Sequence, residues 1–176
     1  MMVEMFSDSL NSPLDLEKAF LKWNAALYGF VFLRVNSKEI AEDIVQESFL
    51  RAWKSRETFN AKRSSLKTWL FTIAVNEIKD YFKFSKKDTV DISKIENIIS
   101  DESVDIANQL GQKNLIDIVL NQLQLLSDHD QELIILRFKN DMSVKDIASI
   151  LGMGYVATKV ALHRAIKKLS DLCSKN

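Results

Sequence analysis

Residues 141–169, DMSVKDIASILGMGYVATKVALHRAIKKL, carry the spacing that decides the fold of the C-terminal part of this chain. Ser143, followed three residues later by Asp146, is a helix-start pattern, and Gly152 can supply the positive φ of a tight turn. Ala148, four residues before Gly152, is small enough for a second helix to cross closely. A small residue, a later glycine and then an apolar residue are typical of a helix-turn-helix.

The periodicity of this motif separates a buried face from an outward face. The predicted buried stripe consists of Ile147, Ala148, Leu151, Met153, Thr158, Leu162, Ile166 and Leu169. A helix in a DNA major groove reads base edges from its N-terminal turns, while flanking cations bind phosphate. The predicted DNA-contacting residues are Lys145, Tyr155, Val156, Thr158, Lys159, His163, Arg164 and Lys167. A plain helical hairpin with a charged surface is the alternative.

The preceding stretch, LSDHDQELIILRF at 126–138, repeats the helix-start pattern with Ser127 and Asp130. An amphipathic helix is expected after it, with Leu133, Ile134 and Leu136 turned inward.

The charges of the chain are segregated although the net charge of its 176 residues is zero. Residues 51–87 carry ten basic and three acidic side chains, 88–132 carry two and ten, and 137–176 carry eight and three. Two basic blocks separated by an acidic one favour two nucleic-acid-facing surfaces. Ordinary solvated charge is the alternative for either block.

Secondary structure is predicted to be helical throughout, because only one Pro and four Gly occur and apolar residues recur every three to four positions. Residues 88–112 hold six acids and one base and lack aromatic residues, which indicates a linker. We therefore expect an all-α protein with two small helical domains, at 16–87 and 113–176, joined by an acidic linker at 88–112.

The single cysteine, Cys173, has no partner in the chain, so a disulfide framework is excluded and a reducing compartment fits. The first residues lack the basic and apolar regions of a signal peptide, and the best apolar run, AALYGFVFL, has only nine residues. The expectation is a cytoplasmic protein with no membrane insertion.

A candidate protein-binding face lies in EIAEDIVQESFLRAWK, residues 39–54. Helical geometry puts Ala41, Val45, Ser48, Phe49 and Ala52 on the core side. The opposite face holds Asp43, Gln46, Glu47 and Leu50, an exposed leucine within a rim of carboxylates and an amide, which is typical of a protein-binding patch. A carboxylate metal site at Asp43 and Glu47 is the alternative, although no Glu-x-x-His pair exists.

The next segment, FNAKRSSLKTWLFTIAVNEIKDYFKFSKK at 59–87, interleaves basic and aromatic residues. A helix starting near Ser64 or Ser65 would turn Leu66, Leu70, Ile73, Ala74 and Tyr81 inward. It would align Thr68, Thr72, Asn76, Lys79 and Lys83 in one sector, with Trp69 at its edge. Hydrogen-bonding groups, cations and a stacking plane together suit single-stranded or opening DNA. The alternative for Trp69, as for Phe71 and Phe82, is a place in the core.

Three motifs in the chain resemble those of bacterial RNA polymerase sigma factors of the sigma-70 superfamily. In chain order they are AEDIVQESFLRAW, SSLKTWLFTIAVNEIKDYF, and LSDHDQELIILRFKNDMSVKDIASILG with ATKVALHRAIKKL. The small extracytoplasmic-function type, with only the domains called region 2 and region 4, is the most similar. The resemblance covers nearly all of the chain past about residue 20.

The resemblance implies a role for each surface. Region 2 would bind the clamp coiled coil of core polymerase through Asp43, Gln46, Glu47 and Leu50, and the helix-turn-helix would read the minus-thirty-five element of promoter DNA while outer helices grip the polymerase flap. The loop NAKRS would hold a base flipped from the non-template strand, with Asn76 near it. The expected minus-ten DNA-binding residues are Phe59, Lys62, Arg63, Ser64, Lys67, Thr68, Trp69, Thr72, Asn76, Lys79 and Lys83.

Some positions depart from the pattern of the family. Leu66 stands where an aromatic residue is usual, no Gly follows Phe59, and Val160 and Ala161 replace the common Ser-Arg of the recognition helix. The upstream base specificity therefore cannot be transferred from relatives, and the resemblance leaves open whether an anti-sigma factor binds the chain.

Two other classes of function fit the sequence less well than a sigma factor does. A helix-turn-helix regulator that works without polymerase would need no single-strand surface such as that of Trp69 and Asn76. An enzyme has little support, because the two His are far apart, no Gly-rich phosphate loop occurs, and no nucleophile has a plausible base. We expect no catalytic residues, no metal and no cofactor.

Overall fold

The computed structural model of the protein describes residues 10–88 and 118–174, and the regular secondary structure in these ranges is entirely helical. The all-α prediction is therefore confirmed for the described part of the chain. The predicted linker at 88–112 lies outside the described residues except for Asp88, which ends a helix.

Helix α1 (Pro13–Val35) begins at a complete capping box. Ser12 Oγ accepts the Asp15 N–H at 3.2 Å, and the Asp15 carboxylate accepts the Ser12 N–H at 3.0 Å. Asn36 ends the helix with φ 50°, a left-handed conformation that Asn adopts more readily than most residues. The buried residues of the helix are Ala19, Leu27, Phe30, Val31 and Arg34.

Two further helices complete the first half. Helix α2 (Lys38–Lys54) is capped by Ser37, and α3 (Leu66–Asp88) begins where Ser65 Oγ accepts the Thr68 N–H at 3.1 Å. The predicted start of this helix near Ser65 is therefore confirmed. Helices α1, α2 and α3 pack pairwise, with the Phe30 and Phe71 rings 5.5 Å apart at the centre.

The second half contains α4 (118–124), α5 (Asp128–Ile134), a π-helical turn (Ile135–Lys139), α6 (Val144–Leu151) and α7 (Tyr155–Cys173). Both predicted caps are present: Ser127 accepts from the Asp130 N–H and Ser143 from the Asp146 N–H. Leu133, Ile134 and Leu136 are buried, as predicted.

The π-helical turn was not predicted from the sequence. It closes with the Asn140 N–H donating to the Ile135 carbonyl at 3.2 Å, and the Met142 N–H then donates to the Leu136 carbonyl at 3.0 Å. The wider turn shifts the chain by one residue relative to an α-helix. Asn140, the polar residue that ends this turn, is buried, with 4% of its surface exposed.

The two halves are packed together, although the sequence had left their relative placement open. Helix α3 packs on α6, and α1 packs on α5 and on the π-helical turn. The buried apolar residues of both halves consequently form one continuous cluster. Its largest fully buried members include Leu27, Phe30, Phe71 and Ile78 from the first half and Leu133, Leu136 and Ile147 from the second.

Candidate nucleic-acid interface

Helices α6 and α7 form the predicted helix-turn-helix. Gly152 ends α6 with φ 66°, and Ala148, 7% exposed, lies under the turn, where its carbonyl accepts the Met153 N–H at 2.9 Å. A Cβ at Gly152 would meet no other atom, so backbone conformation rather than space requires glycine there.

The outward face of α7 is accessible. Lys145 of α6 is exposed, and so are six predicted DNA-contacting residues of α7: Tyr155, Val156, Lys159, His163, Arg164 and Lys167. These side chains form one exposed surface along α7, with the aromatic and aliphatic residues Tyr155 and Val156 at its N-terminal end and the cations after them.

Two predictions on α7 are corrected by the structure. Thr158 was placed both in the buried stripe and among the DNA contacts; it is fully buried, and its hydroxyl donates to the Gly154 carbonyl at 3.0 Å. Thr158 therefore cannot touch DNA in this conformation. Ile166 was expected in the buried stripe but is 38% exposed, because the contact with the core falls on Leu162 and Ala165 instead.

The outer face of α2 presents the predicted protein-binding patch. Asp43 and Gln46 are exposed, Leu50 is 45% exposed, and Glu47 lies beside them half-buried. The residues predicted for the core side, Ala41, Val45, Ser48, Phe49 and Ala52, are all buried.

Arg51 connects this patch to α3. Its Nε donates to Glu47 Oε1 at 3.0 Å, and its Nη1 lies 2.7 Å from Glu77 Oε1 on α3. Burial raises the pKa of Glu77, and the positive charge of Arg51 opposes that rise. Arg51 therefore joins the α2 patch to a largely buried carboxylate on the neighbouring helix.

Helix α3 and the loop before it present most of the predicted DNA sector. Asn76, Lys79, Lys83, Lys62 and Arg63 are exposed, and Phe59, Ser64, Lys67, Trp69 and Thr72 are half-buried. The Trp69 and Phe59 rings lie 5.1 Å apart at 40°, so the indole has a fixed aromatic neighbour. Trp69 is half-buried: part of the indole packs against the core cluster, and part of it stays accessible to solvent.

Thr68 is the exception in this sector. It was predicted to face DNA, but it is only 1% exposed, and its hydroxyl donates to Asp146 Oδ1 of α6 at 3.0 Å. The helix-turn-helix half covers this position. Lys67 beside it donates from Nζ to the Asn140 carbonyl at 2.6 Å.

A buried arginine makes another polar contact between the halves. Arg34, 5% exposed, donates to the Gln131 side-chain oxygen and, at 3.0 Å, to Asp128 Oδ1. Its Nη2 also lies 4.0 Å from Glu132 Oε1, and its guanidinium lies 5.9 Å from the centre of the Phe82 ring. Arg34 thus joins α1 to α5 and approaches α3.

Glu132 is the most buried carboxylate of this contact, with 4% of its surface exposed. Burial raises the pKa of Glu132, and the charges of Arg34, Lys79 and His129 oppose the rise. Together with Lys79 and His129 it lines a cavity of about 340 Å³ between α3 and α5.

Sequence reasoning missed the residues that join the halves, above all Arg34, Gln131, Asn140 and Asp146. The one available signal was Arg34 at the end of an otherwise apolar run, since an arginine there is buried only when it is paired. Nothing in the sequence identified its partners, which lie 94 and 97 residues away.

Within residues 10–88 and 118–174, no group of three or more His, Cys, Asp or Glu side chains is placed to hold a metal ion. In the same ranges, none of the helices has both the length and the apolar character that crossing a membrane requires.

Two family descriptions match the chain. Sigma-70 region 2 matches residues 20–87, which include α2, α3 and most of α1. Sigma-70, region 4, matches residues 116–169, which include the helix-turn-helix.

Individual proteins similar to this chain are sigma factors as well. The chain is 30% identical over 158 residues to the ECF RNA polymerase sigma factor BldN of Streptomyces coelicolor, a match that covers 86% of this chain and 57% of that protein. It is 31% identical over 151 residues to the ECF RNA polymerase sigma factor SigX of Bacillus subtilis, covering 81% of this chain and 75% of that protein. The sigma factor RpoE from Bartonella quintana, solved in complex with the anti-sigma factor NepR, is 27% identical, covers 91% of this chain and 97% of its own, and superposes with a TM-score of 0.74.

Proposed function

Since this chain belongs to the sigma-70 family of RNA polymerase sigma factors, in its extracytoplasmic-function group, we propose that it brings core polymerase to promoters. In this proposal, α2 binds the polymerase and α3 captures unpaired bases of the promoter. One observation carries the proposal: the exposed face of α2 around Leu50 and the partly exposed face of α3 around Trp69, predicted to bind protein and single-stranded DNA, lie on neighbouring helices of one packed unit. Such proximity lets polymerase binding and strand capture act together.

The α2 patch fits a basic partner with an apolar contact point, for which we propose the clamp coiled coil of the largest polymerase subunit. Asp43 and Gln46 are exposed, so they can bind without rearrangement. Glu47 is held by Arg51 in a pair whose two side chains are 41% and 49% exposed. An exposed pair of this kind contributes little to stability, about 0 to 1 kcal/mol, so a partner cation can replace Arg51 at small cost.

The surface of α3 fits the non-template strand of the minus-ten element. Trp69, supported by Phe59, offers a plane for a base, and Asn76 offers an amide at the exposed face of the same helix. Lys62 and Arg63 in the loop are exposed cations that suit the phosphates on either side. We propose that this loop and helix hold a flipped base.

The energy of strand separation explains why the two surfaces occur together. Separating five base-pair steps costs about 7 kcal/mol at roughly 1.4 kcal/mol per step. One or two bases stacked on aromatic side chains return only about 1 to 3 kcal/mol each. The chain alone therefore cannot melt DNA, and contacts from polymerase must supply the difference.

The helix-turn-helix fits the minus-thirty-five element. Tyr155, Val156 and Lys159 occupy the exposed N-terminal turns of α7, where a recognition helix meets base edges, and Arg164 and Lys167 follow as phosphate-binding cations. Lys145 and His163 complete this set. Exposed Phe138 of the π-helical turn, 65% accessible, is suited to an apolar contact with the polymerase flap.

Because a polymerase subunit works where polymerase and the chromosome are, we propose a cytoplasmic location. We also propose that an anti-sigma factor can bind this chain, since the solved relative from Bartonella quintana is in complex with one.

The decisive experiment combines purified chain, core polymerase and duplex promoter DNA. Leu50→Asp is compared with Leu21→Asp, a more accessible leucine on α1 (75% exposed against 45%), and Trp69→Ala with Trp53→Ala on α2. Co-purification with polymerase measures docking, and permanganate footprinting of duplex promoter measures opening.

We expect Leu50→Asp to abolish co-purification and Trp69→Ala to keep it while losing opening. Neither control substitution should change either readout. A wild-type chain that ignores core polymerase but binds the duplex promoter would show that the protein is a helix-turn-helix regulator instead.

A further inference from the structure

Two side chains of the proposed single-strand surface are already occupied within the protein. Thr68 donates its hydroxyl proton to Asp146 Oδ1 at 3.0 Å, and Lys67 donates from Nζ to the Asn140 carbonyl oxygen at 2.6 Å. Both acceptors belong to the helix-turn-helix half, at the start of α6 and just before it.

The acceptors have the chemistry of a DNA backbone. A hydroxyl and an ammonium bind phosphate oxygens in protein–DNA complexes, and here they bind a carboxylate and a carbonyl oxygen. Asp146 is held in position, because Ser143 donates its hydroxyl proton to Oδ2 while Oδ1 accepts from Thr68. An anionic group with fixed geometry therefore accepts the Thr68 hydroxyl proton, the role that a phosphate oxygen plays in protein–DNA complexes.

We propose that Asp146 and the Asn140 carbonyl act as an internal substitute for the DNA backbone, so that the helix-turn-helix half and single-stranded DNA compete for the same part of α3. This inference rests on the proposed function of α3. It adds that the isolated protein protects its minus-ten surface until the two halves separate.

The contact is reinforced well beyond these two residues. The Asn140 side-chain amide donates to the Ala26 carbonyl of α1 at 3.0 Å, and the Gln124 amide donates to the Leu33 carbonyl at 3.0 Å. Arg34 binds Asp128 and Gln131 on the same side of the molecule. Single-stranded DNA must therefore displace a whole interface, which lowers its apparent affinity by the fraction of open molecules.

The protection is one-sided. Tyr155, Val156 and Lys159 at the tip of α7 stay exposed while Thr68 is buried. The closed arrangement thus covers the surface for unpaired bases and leaves the surface for duplex DNA accessible.

The test measures single-stranded DNA binding by the full chain without polymerase. The substitution Asp146→Asn keeps the size of the side chain and removes its charge, and a hydrogen bond to an ionised acceptor is roughly twice as strong as a neutral one. Asp141→Asn is the matched control, since it removes one charge from the same half at a side chain that is 97% exposed. Its φ of 48° is one that Asn tolerates.

The probe is a fluorescein-labelled single-stranded oligonucleotide of minus-ten sequence, followed by anisotropy at low salt. Separation of the halves is followed by energy transfer between dyes at Glu42→Cys on α2 and at the native Cys173 on α7. We expect Asp146→Asn to bind the oligonucleotide about fivefold to tenfold more tightly than wild type and Asp141→Asn, and the oligonucleotide to lower energy transfer in the wild-type chain as it binds.

Equal affinities of Asp146→Asn and Asp141→Asn would overturn the inference. Binding that leaves energy transfer in the wild type unchanged would overturn it too, because no competition would then exist, and so would a failure of both variants to bind at all. Transcription from pre-opened promoter with core polymerase separates the two claims: it tests the proposed function and does not depend on the closed arrangement.

Discussion

Arg34, at the end of α1, donates a hydrogen bond from Nη2 to Asp128 Oδ1 at 3.0 Å, although 94 residues separate the two in the chain. The arginine side chain is 1% exposed and the aspartate side chain 68% exposed. The pair therefore lies at the edge of the contact between the halves, with the cation inside and the anion at the rim. Removing the cation should affect the protein more than removing the anion.

Arg34→Ala is expected to lower the free energy of unfolding by about 3 kcal/mol, because Glu132 and Gln131 would stay buried without their cationic partner. Urea denaturation followed by circular dichroism measures the change. Arg164→Ala, on the exposed face of α7, is the control and should shift the unfolding free energy by less than about 0.5 kcal/mol. Equal losses in the two variants would contradict the role of Arg34.

The raised pKa of Glu132 predicts a particular pH dependence of stability. Burial disfavours its charged form in the folded state, so the folded protein holds a proton that the unfolded chain releases at its ordinary pKa of 4.5. Stability from this group is present below that pKa and is lost as pH rises from there through the raised folded value.

The measurement compares the unfolding free energy of wild type and Glu132→Gln at pH 5 and pH 8. The wild type should lose stability relative to Glu132→Gln between the two pH values. Glu57→Gln, at a side chain that is 88% exposed, is the control, and its unfolding free energy should change between the two pH values by the same amount as that of wild type. If the wild type instead became more stable relative to Glu132→Gln as the pH rises, pairing with Arg34 rather than burial would dominate the pKa of Glu132.

Phe59→Ala is expected to weaken the capture of unpaired bases by α3 without changing recognition of the upstream, minus-thirty-five element. Its ring lies 5.1 Å from Trp69, so its loss leaves the indole without its aromatic neighbour. With a stacked base contributing about 1 to 3 kcal/mol, partial loss of this stacking should reduce holoenzyme affinity for pre-opened promoter about tenfold. Affinity for a duplex with only the upstream element should not change; an equal loss on both DNAs would indicate general misfolding instead.

Gly152→Ala is expected to destabilise the protein by about 1 kcal/mol, because a side chain is strained at φ 66° even where space is open. Gly154→Ser is the control, because φ −70° suits any residue, the space is equally open, and serine is favoured at the N-cap position that Gly154 holds; no loss of stability is expected. Thermal unfolding of both variants measures the difference. Equal melting temperatures would show that the turn relaxes at no cost.

Local features of the fold were predictable because their causes are local. Ser127 and Ser143 cap their helices through a residue three positions on, and Gly152 supplies the positive φ of the turn. The α2 patch followed from the helical period alone, and its residues Asp43, Gln46 and Leu50 are exposed as expected. The polymerase and DNA contacts assigned to these surfaces remain predictions.

The errors share one physical origin. Thr68 lies on the correct sector of α3 by periodicity, yet it is buried because α6 packs over it. Thr158, which was also predicted to contact DNA, is buried, and Ile166 is partly exposed, because the packing of α7 on α5 and α6 decides which turns of α7 meet the core. Periodicity shows which residues share a face, and it does not show what covers that face.

The sequence by itself therefore determined the helices, their caps, the helix-turn-helix spacing and the family, since each depends on residues a few positions apart or on motifs in order. Only the tertiary structure decided that Arg34 would meet Asp128, that Thr68 would meet Asp146, and that the two halves would share one core. The two side-chain contacts join residues 94 and 78 positions apart, and their geometry arises from how complete helices pack, which no local pattern specifies.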